Sequence, residues 1–153
     1  MTALAFASRG IATKVLEKSP EKIEKSKDFA KKTGIEINQK FDDLFNVAVN
    51  AASSPDAFSD AIIKVLPGGF VIFFSGLSEN IPVKTFNEIH YKQLKVCGAY
   101  GCTKKQMEKA IDFLNKKSEA FEHLIEKTVD LGKVANIMPY VESGKYFKFT
   151  IAF

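Results

Sequence analysis

Apolar positions come in two rhythms along this chain, and the rhythms alternate. Thr2–Arg9 has helical spacing and is stopped by Gly10. Ala12–Glu17 (ATKVLE) then reads as a strand ending on an acid. Ser19-Pro20-Glu21 is a helix start, with serine to cap, proline for the first helical position and an acid for the first turn. That helix is predicted to run to Gly34 with Ile23, Phe29 and Ala30 inward. Ile35–Asn38 is a short strand, and Leu44–Val49 is an apolar run of strand length. Ser53-Ser54-Pro55-Asp56 starts another helix, with Ala57, Phe58, Ala61, Ile62 and Val65 on its buried face and Pro67-Gly68-Gly69 as its stop.

Phe70–Phe74 (FVIFF) is near-continuously apolar, as in a strand covered on both faces. A short helix is predicted near Thr85–His90, a strand over Leu94–Ala99 and a helix over Lys104–Lys116. Val129–Val141 reads as a further helix and Tyr146–Phe153 as a last strand. Strands of core type alternating with helices predict an α/β, doubly wound, mostly parallel sheet.

Composition narrows the function classes. Hydrophobic residues make up 46% of 153 positions, enough for a real core. The net charge of +4 comes from lysines set among glutamates on helix faces, and Arg9 is the single arginine. A nucleic-acid reader leans on arginine and on interleaved aromatics, so no nucleic-acid partner is expected. No apolar run approaches the roughly 20 residues of a membrane span, and the apolar start lacks a basic leader region, so a cytoplasmic location is expected. Cys97 and Cys102 read as free thiols, and His90 and His123 do not complete a metal-ligand spacing with them.

The candidate chemistry lies where strands end. In an open parallel sheet, ligands bind beyond the carboxyl ends. The turns there are Glu17, Asn50-Ala51-Ala52-Ser53, Ser75-Gly76-Leu77 and Ala99-Tyr100-Gly101. Small side chains in three of these turns let a flat ligand approach the backbone; they also simply make tight turns. An acid closing the strand after a glycine-terminated helix is placed as in a dinucleotide-binding βαβ unit, where it accepts from the adenosine ribose hydroxyls. A carboxylate there disfavours a 2′-phosphate and so points to NAD over NADP. Lys22 could reach the adenosine end or stay in solvent. The glycine-rich phosphate loop of such a unit, and the strand before it, would precede Thr2. Residues 1–153 are therefore expected to be one partial dinucleotide-binding domain, N-terminally truncated.

Four segments in order, ATKVLEKSPEKIEKSKDFAKKTG, VAVNAASSPDAFSDAIIKVLPGGFVIFFSGL, IHYKQLKVCGAYG and ESGKYFKFTIAF, resemble the cofactor domain of the medium-chain dehydrogenase/reductase family, in its zinc-type alcohol and polyol dehydrogenase branch. The resemblance implies a Rossmann fold that binds NAD(H). It implies that Glu17 holds the adenosine ribose with Lys22 nearby. Ala51, Ala52 and Ser53 would border the ribose and nicotinamide side, and Ser75, Gly76 and Leu77 would line the nicotinamide pocket. Lys148 matches a basic position near the cofactor phosphates, although as a residue it also suits an outward site on an edge strand. Ser53 stands where the family often has glycine, and Asn50 where it often has an acid.

No catalytic residue or metal ligand is expected in this chain. The resemblance assigns zinc and the small alcohol or polyol substrate to a separate domain. It also implies a homo-oligomer, with Ser78–Val83 and Leu94–Ala99 as contact segments. Two other readings stay open: a non-enzymatic Rossmann module used for association or nucleotide sensing, and another Rossmann-type enzyme such as a methyltransferase.

Overall fold

A computed structural model describes residues 1–77 and 84–153. The expected contact segment Ser78–Val83 lies outside the described residues. The chain divides into one unit of residues 1–41 and 104–153 and another of residues 42–103.

In the first unit, α1 (Thr2–Ala7) buries Leu4 and leads through Gly10 to β1 (Lys14–Leu16). Ser19 accepts from the Lys22 N–H and caps α2 (Pro20–Lys25), with Pro20 at its first position. The single helix expected up to Gly34 is two: Ser26 turns its hydroxyl back onto the Lys22 carbonyl at 2.6 Å, and α3 (Lys27–Thr33) follows. Gly34, at φ 70°, closes α3 in the left-handed conformation that glycine adopts without a Cβ penalty. β2 (Glu36–Asn38) pairs in parallel with β1, and Lys14 faces Glu36 across the ladder at 3.0 Å.

α6 (Lys104–Lys116) keeps the predicted bounds. Beyond it the chain departs from expectation. α7 (Ser118–Glu122) was not foreseen, and Val129 belongs to a strand, β6 (Ile125–Asp130), rather than to the start of a helix. Its alternation is short and carries Glu126 and Lys127, which weakens the period-two signal. A 3₁₀ turn (Leu131–Lys133) leads to α8 (Val134–Glu142), and β7 (Lys148–Ala152) returns parallel to β6. Leu4, Phe29, Ile35 and Phe121 form this unit's core, with Phe113 edge-on to Phe121 at 5.9 Å.

In the second unit, β3 (Phe45–Asn50), β4 (Val65–Phe73) and β5 (Lys95–Gly98) form a parallel sheet in the order β3-β4-β5. Ser54 caps α4 (Pro55–Ile63) by accepting from the Ala57 N–H at 3.1 Å. That helix stops before Lys64 rather than at Pro67. Val65, expected on its buried face, instead opens β4 with no exposed surface. Pro67-Gly68-Gly69 is an irregularity inside β4, where the register with β3 shifts. α5 (Lys84–Tyr91) precedes β5. Phe58, Ile62, Val65, Val71 and Leu94 make the core, and Phe73 stacks on Phe58 at 3.9 Å. Burying each such side chain contributes about 1.5–3 kcal/mol.

The fold is α/β with every described pairing parallel. The described strands lie in three sheets: β1-β2, β3-β4-β5 and β6-β7. β1 pairs only with β2, and β3 only with β4, so no ladder joins those two sheets among the described residues.

Candidate functional site

The β3-β4-β5 sheet ends evenly. Asn50 lies opposite Phe73, and Phe73 opposite Gly98. The ladder continues one step further, with the Phe74 N–H donating to the Asn50 carbonyl at 2.9 Å and the Ala99 N–H to the Phe73 carbonyl at 2.8 Å. Because the strands are parallel and in register, Ala51-Ala52-Ser53, Ser75-Gly76-Leu77 and Ala99-Tyr100-Gly101 all leave the same edge. Ala51, Ala52, Ser53 and Gly76 are exposed and Ser75 is half-buried. Among the described residues, a Cβ built on Gly76 would meet nothing within 4 Å. Leu77 differs from its neighbours: it packs against the Phe58–Ile62 core and faces inward at least in part.

Glu17, Lys22 and Lys148 belong to the other unit. The Glu17 N–H donates to the Asn38 carbonyl at 3.0 Å, which fixes the residue at the end of β1. Its Oε1 accepts the Ser19 N–H at 2.9 Å. Gln39 donates to the Lys18 carbonyl at 2.9 Å and ties the turn to the end of β2. The acid is thus half-buried and held, with Oε2 lacking a hydrogen-bond partner among the described residues. Next to it, the backbone N–H of Glu21 and the Ser19 hydroxyl hold the Glu21 carboxyl below the usual range. Lys22 is half-buried on the first turn of α2.

Lys148 opens β7, exposed, with its N–H on the Leu124 carbonyl at 3.1 Å. Its charge is felt at the start of α1: burial first, then Lys148, lowers the pKa of the Met1 ammonium. A cluster that sequence reasoning missed sits beside it. Glu126 is the extra residue of a bulge in β6, since Ile125 pairs with Lys148 and Lys127 with Phe149. Its Oε1 accepts from Lys25 Nζ at 2.8 Å and from the Phe147 N–H at 3.2 Å. Lys25 also lies over the Tyr146 ring, 4.2 Å from its centre. No local sequence signal announces a contact across 101 positions.

A depression of about 580 Å³ lies elsewhere in the first unit, lined by Leu4, Ala7, Lys32, Thr33, Lys116 and Ser118 among others. None of the expected site residues lines it. The carboxyl ends of α1, α3 and α6 meet there. Lysines at such ends offset the partial negative charge of helix carbonyls, which accounts for them without a ligand.

Among the described residues no group of histidine, cysteine, aspartate and glutamate side chains is placed to hold a metal ion. No described helix is long and apolar enough to cross a membrane. Cys97 and Cys102 are free and exposed.

This architecture, parallel strands with helical crossovers, is a Rossmann-like α/β fold. Similar solved structures include L-idonate 5-dehydrogenase from Escherichia coli K-12, with a TM-score of 0.81 at 14% identity, covering 99% of this chain and 46% of that one. The 2R,3R-butanediol dehydrogenase from Bacillus subtilis matches at TM-score 0.78 and 17% identity, over 99% of this chain and 46% of that one. A short chain alcohol dehydrogenase from Escherichia coli CFT073, complexed with NADH, matches at 0.76 and 20%, over 99% and 48%. The chain therefore spans a little under half the length of these enzymes. No protein-family model and no curated protein matches its sequence.

Proposed function

We propose that this chain is the NAD(H)-binding part of a zinc-type alcohol or polyol dehydrogenase of the medium-chain dehydrogenase/reductase family. The observation that carries the reading is the even edge of β3-β4-β5, where three strands end in register and release turns of small residues. A flat ring can lie on such an edge with its polar groups against exposed backbone. The held carboxylate of Glu17 supports the adenosine end of the reading.

In this proposal Glu17 accepts from the adenosine ribose hydroxyls, and Lys22 lies beside them. Ala51, Ala52 and Ser53 border the ribose on the nicotinamide side. Ser75, Gly76 and Leu77 form the floor under the nicotinamide, with Leu77 contributing apolar contact from the core side. Lys148 offers its charge to the phosphates. The bound dinucleotide would accept or deliver the hydride. Zinc and the alcohol belong to a second domain of the complete protein, and this chain alone binds without turning over. The complete protein is proposed to be a cytoplasmic homo-oligomer.

Titration of NADH fluorescence with this chain, with NADPH in parallel, tests the proposal. Saturable binding that prefers NADH is expected. Absence of saturation with either nucleotide overturns it.

A further inference from the structure

We infer that Asn50 is a ligand-binding side chain of this edge, and that it pairs with a group on the nicotinamide half of the dinucleotide able both to donate and to accept a hydrogen bond. The inference rests on the dinucleotide reading above.

Asn50 closes β3 and is only 4% exposed. Its Oδ1 and Nδ2 are both buried, and neither has a hydrogen-bond partner among the described residues. A carboxamide offers two donors and an acceptor oxygen with two lone pairs. Burying all of these unpaired costs free energy that an apolar residue of the same shape would not. Side chains alternate along a strand, so Asn50 shares the face of β3 on which Ala48 meets the Phe58–Ile62 core. Opposite it in register is Phe73, stacked on Phe58. Phe73 and the Phe58–Ile62 core carry no polar side-chain atom for the amide to bind.

The backbone carbonyl of Asn50, by contrast, is used: it accepts from the Phe74 N–H, which pins the residue at the last rung of the sheet. The next residues, Ala51 and Ala52, are exposed and carry only methyl groups. Rotation about the side-chain bonds of Asn50 would break no side-chain hydrogen bond among the described residues. A binding group stored without partners loses little when a ligand recruits it. The chemistry required is a paired donor and acceptor, which a ribose hydroxyl and a nicotinamide carboxamide both supply.

Asn50→Leu keeps the shape and removes both polar atoms. Its thermal midpoint is read alongside titrations with NADH, ADP-ribose and ADP. The midpoint should rise by about 2–4 °C as the unpaired amide is lost. NADH affinity should fall roughly tenfold while ADP binding stays unchanged. If ADP-ribose weakens as well, the contact is to the ribose; if NADH alone weakens, it is to the carboxamide. A lowered midpoint would show that the amide is satisfied in the free protein and overturns the role. Unchanged NADH affinity, or an equal loss with ADP, overturns it too. A wild-type chain that binds no dinucleotide brings down the underlying reading and this role with it. A wild-type chain that binds as well as Asn50→Leu brings down the role alone.

Discussion

The carboxylate of Glu17 accepts the backbone N–H of Ser19 at 2.9 Å, and the hydroxyl of the same Ser19 accepts the Lys22 N–H in the first turn of α2. Strand end, acid and helix cap are thus one hydrogen-bonded turn. The acid is preorganised, so little side-chain freedom remains to be lost when a ribose arrives. Glu17→Gln should keep the turn's shape but weaken the acceptors facing the ribose. A hydrogen bond to a charged group is worth about 1.5–3 kcal/mol, so NADH affinity should fall by roughly ten- to a hundredfold. NADPH, whose 2′-phosphate the carboxylate repels, should lose less or gain. Parallel titrations decide it, and equal losses for both nucleotides would remove Glu17 from the ribose.

Gly76 separates binding from stability. Its backbone is not in the left-handed region, and an added Cβ meets no atom of the described residues within 4 Å. Gly76→Ala should therefore leave the thermal midpoint within about 1–2 °C of wild type. The methyl group would stand where the nicotinamide ring is proposed to lie, so NADH binding should weaken while ADP binding persists. If NADH binds Gly76→Ala unchanged, the ring does not rest on this turn.

Gly69 makes the opposite case. A Cβ there would meet Val65 Cγ1 at 2.5 Å, the Asn46 carbonyl at 2.7 Å and the Leu66 carbonyl at 2.9 Å. Two of the three are backbone and cannot swing aside. Gly69→Ala should cost about 1–3 kcal/mol, which lowers the midpoint by about 2–10 °C. Thermal denaturation followed by circular dichroism reads it directly. An unshifted midpoint would mean that the irregularity in β4 is soft.

These two glycines also show how far the sequence could be read. Pro67-Gly68-Gly69 looks like a helix stop because proline and glycine end helices, and Val65 has helical spacing from Phe58 and Ile62. The stop lies earlier, since Val65 gains more from full burial at the head of β4 than from another turn of helix. The carboxyl-edge turns were legible, because each follows an apolar run and consists of small residues. What was hidden was long-range or single-sided. Pairing with β4 places Asn50 as a buried amide without a partner among the described residues, and a bulge turns Glu126 toward Lys25. Neither leaves a periodic trace, because each depends on a neighbour far along the chain.

Glu126 gives the chain an acid-sensitive joint. Burial pushes its carboxyl up, but the hydrogen bonds from Lys25 and the Phe147 N–H outweigh burial, and the net direction is down from 4.5. A carboxyl whose folded pKa lies below its unfolded value stabilises the fold above the unfolded pKa. That contribution fades as pH falls through the folded one. The side chains of Lys25 and Glu126 retain 35% and 20% exposure, so solvent screens the pair and its worth is on the order of 0.5–1 kcal/mol. Wild type should therefore melt a few degrees above Glu126→Gln at neutral pH, and the gap should close as pH drops below about 4.5. Phe147 would still find an acceptor in the glutamine oxygen, so the variant isolates the charge rather than the bulge. Thermal midpoints of both proteins between neutral pH and pH of about 3 read the effect. A gap that stays constant across that range would mean that Glu126 holds the Tyr146–Lys148 turn by geometry alone, with no contribution from its ionisation.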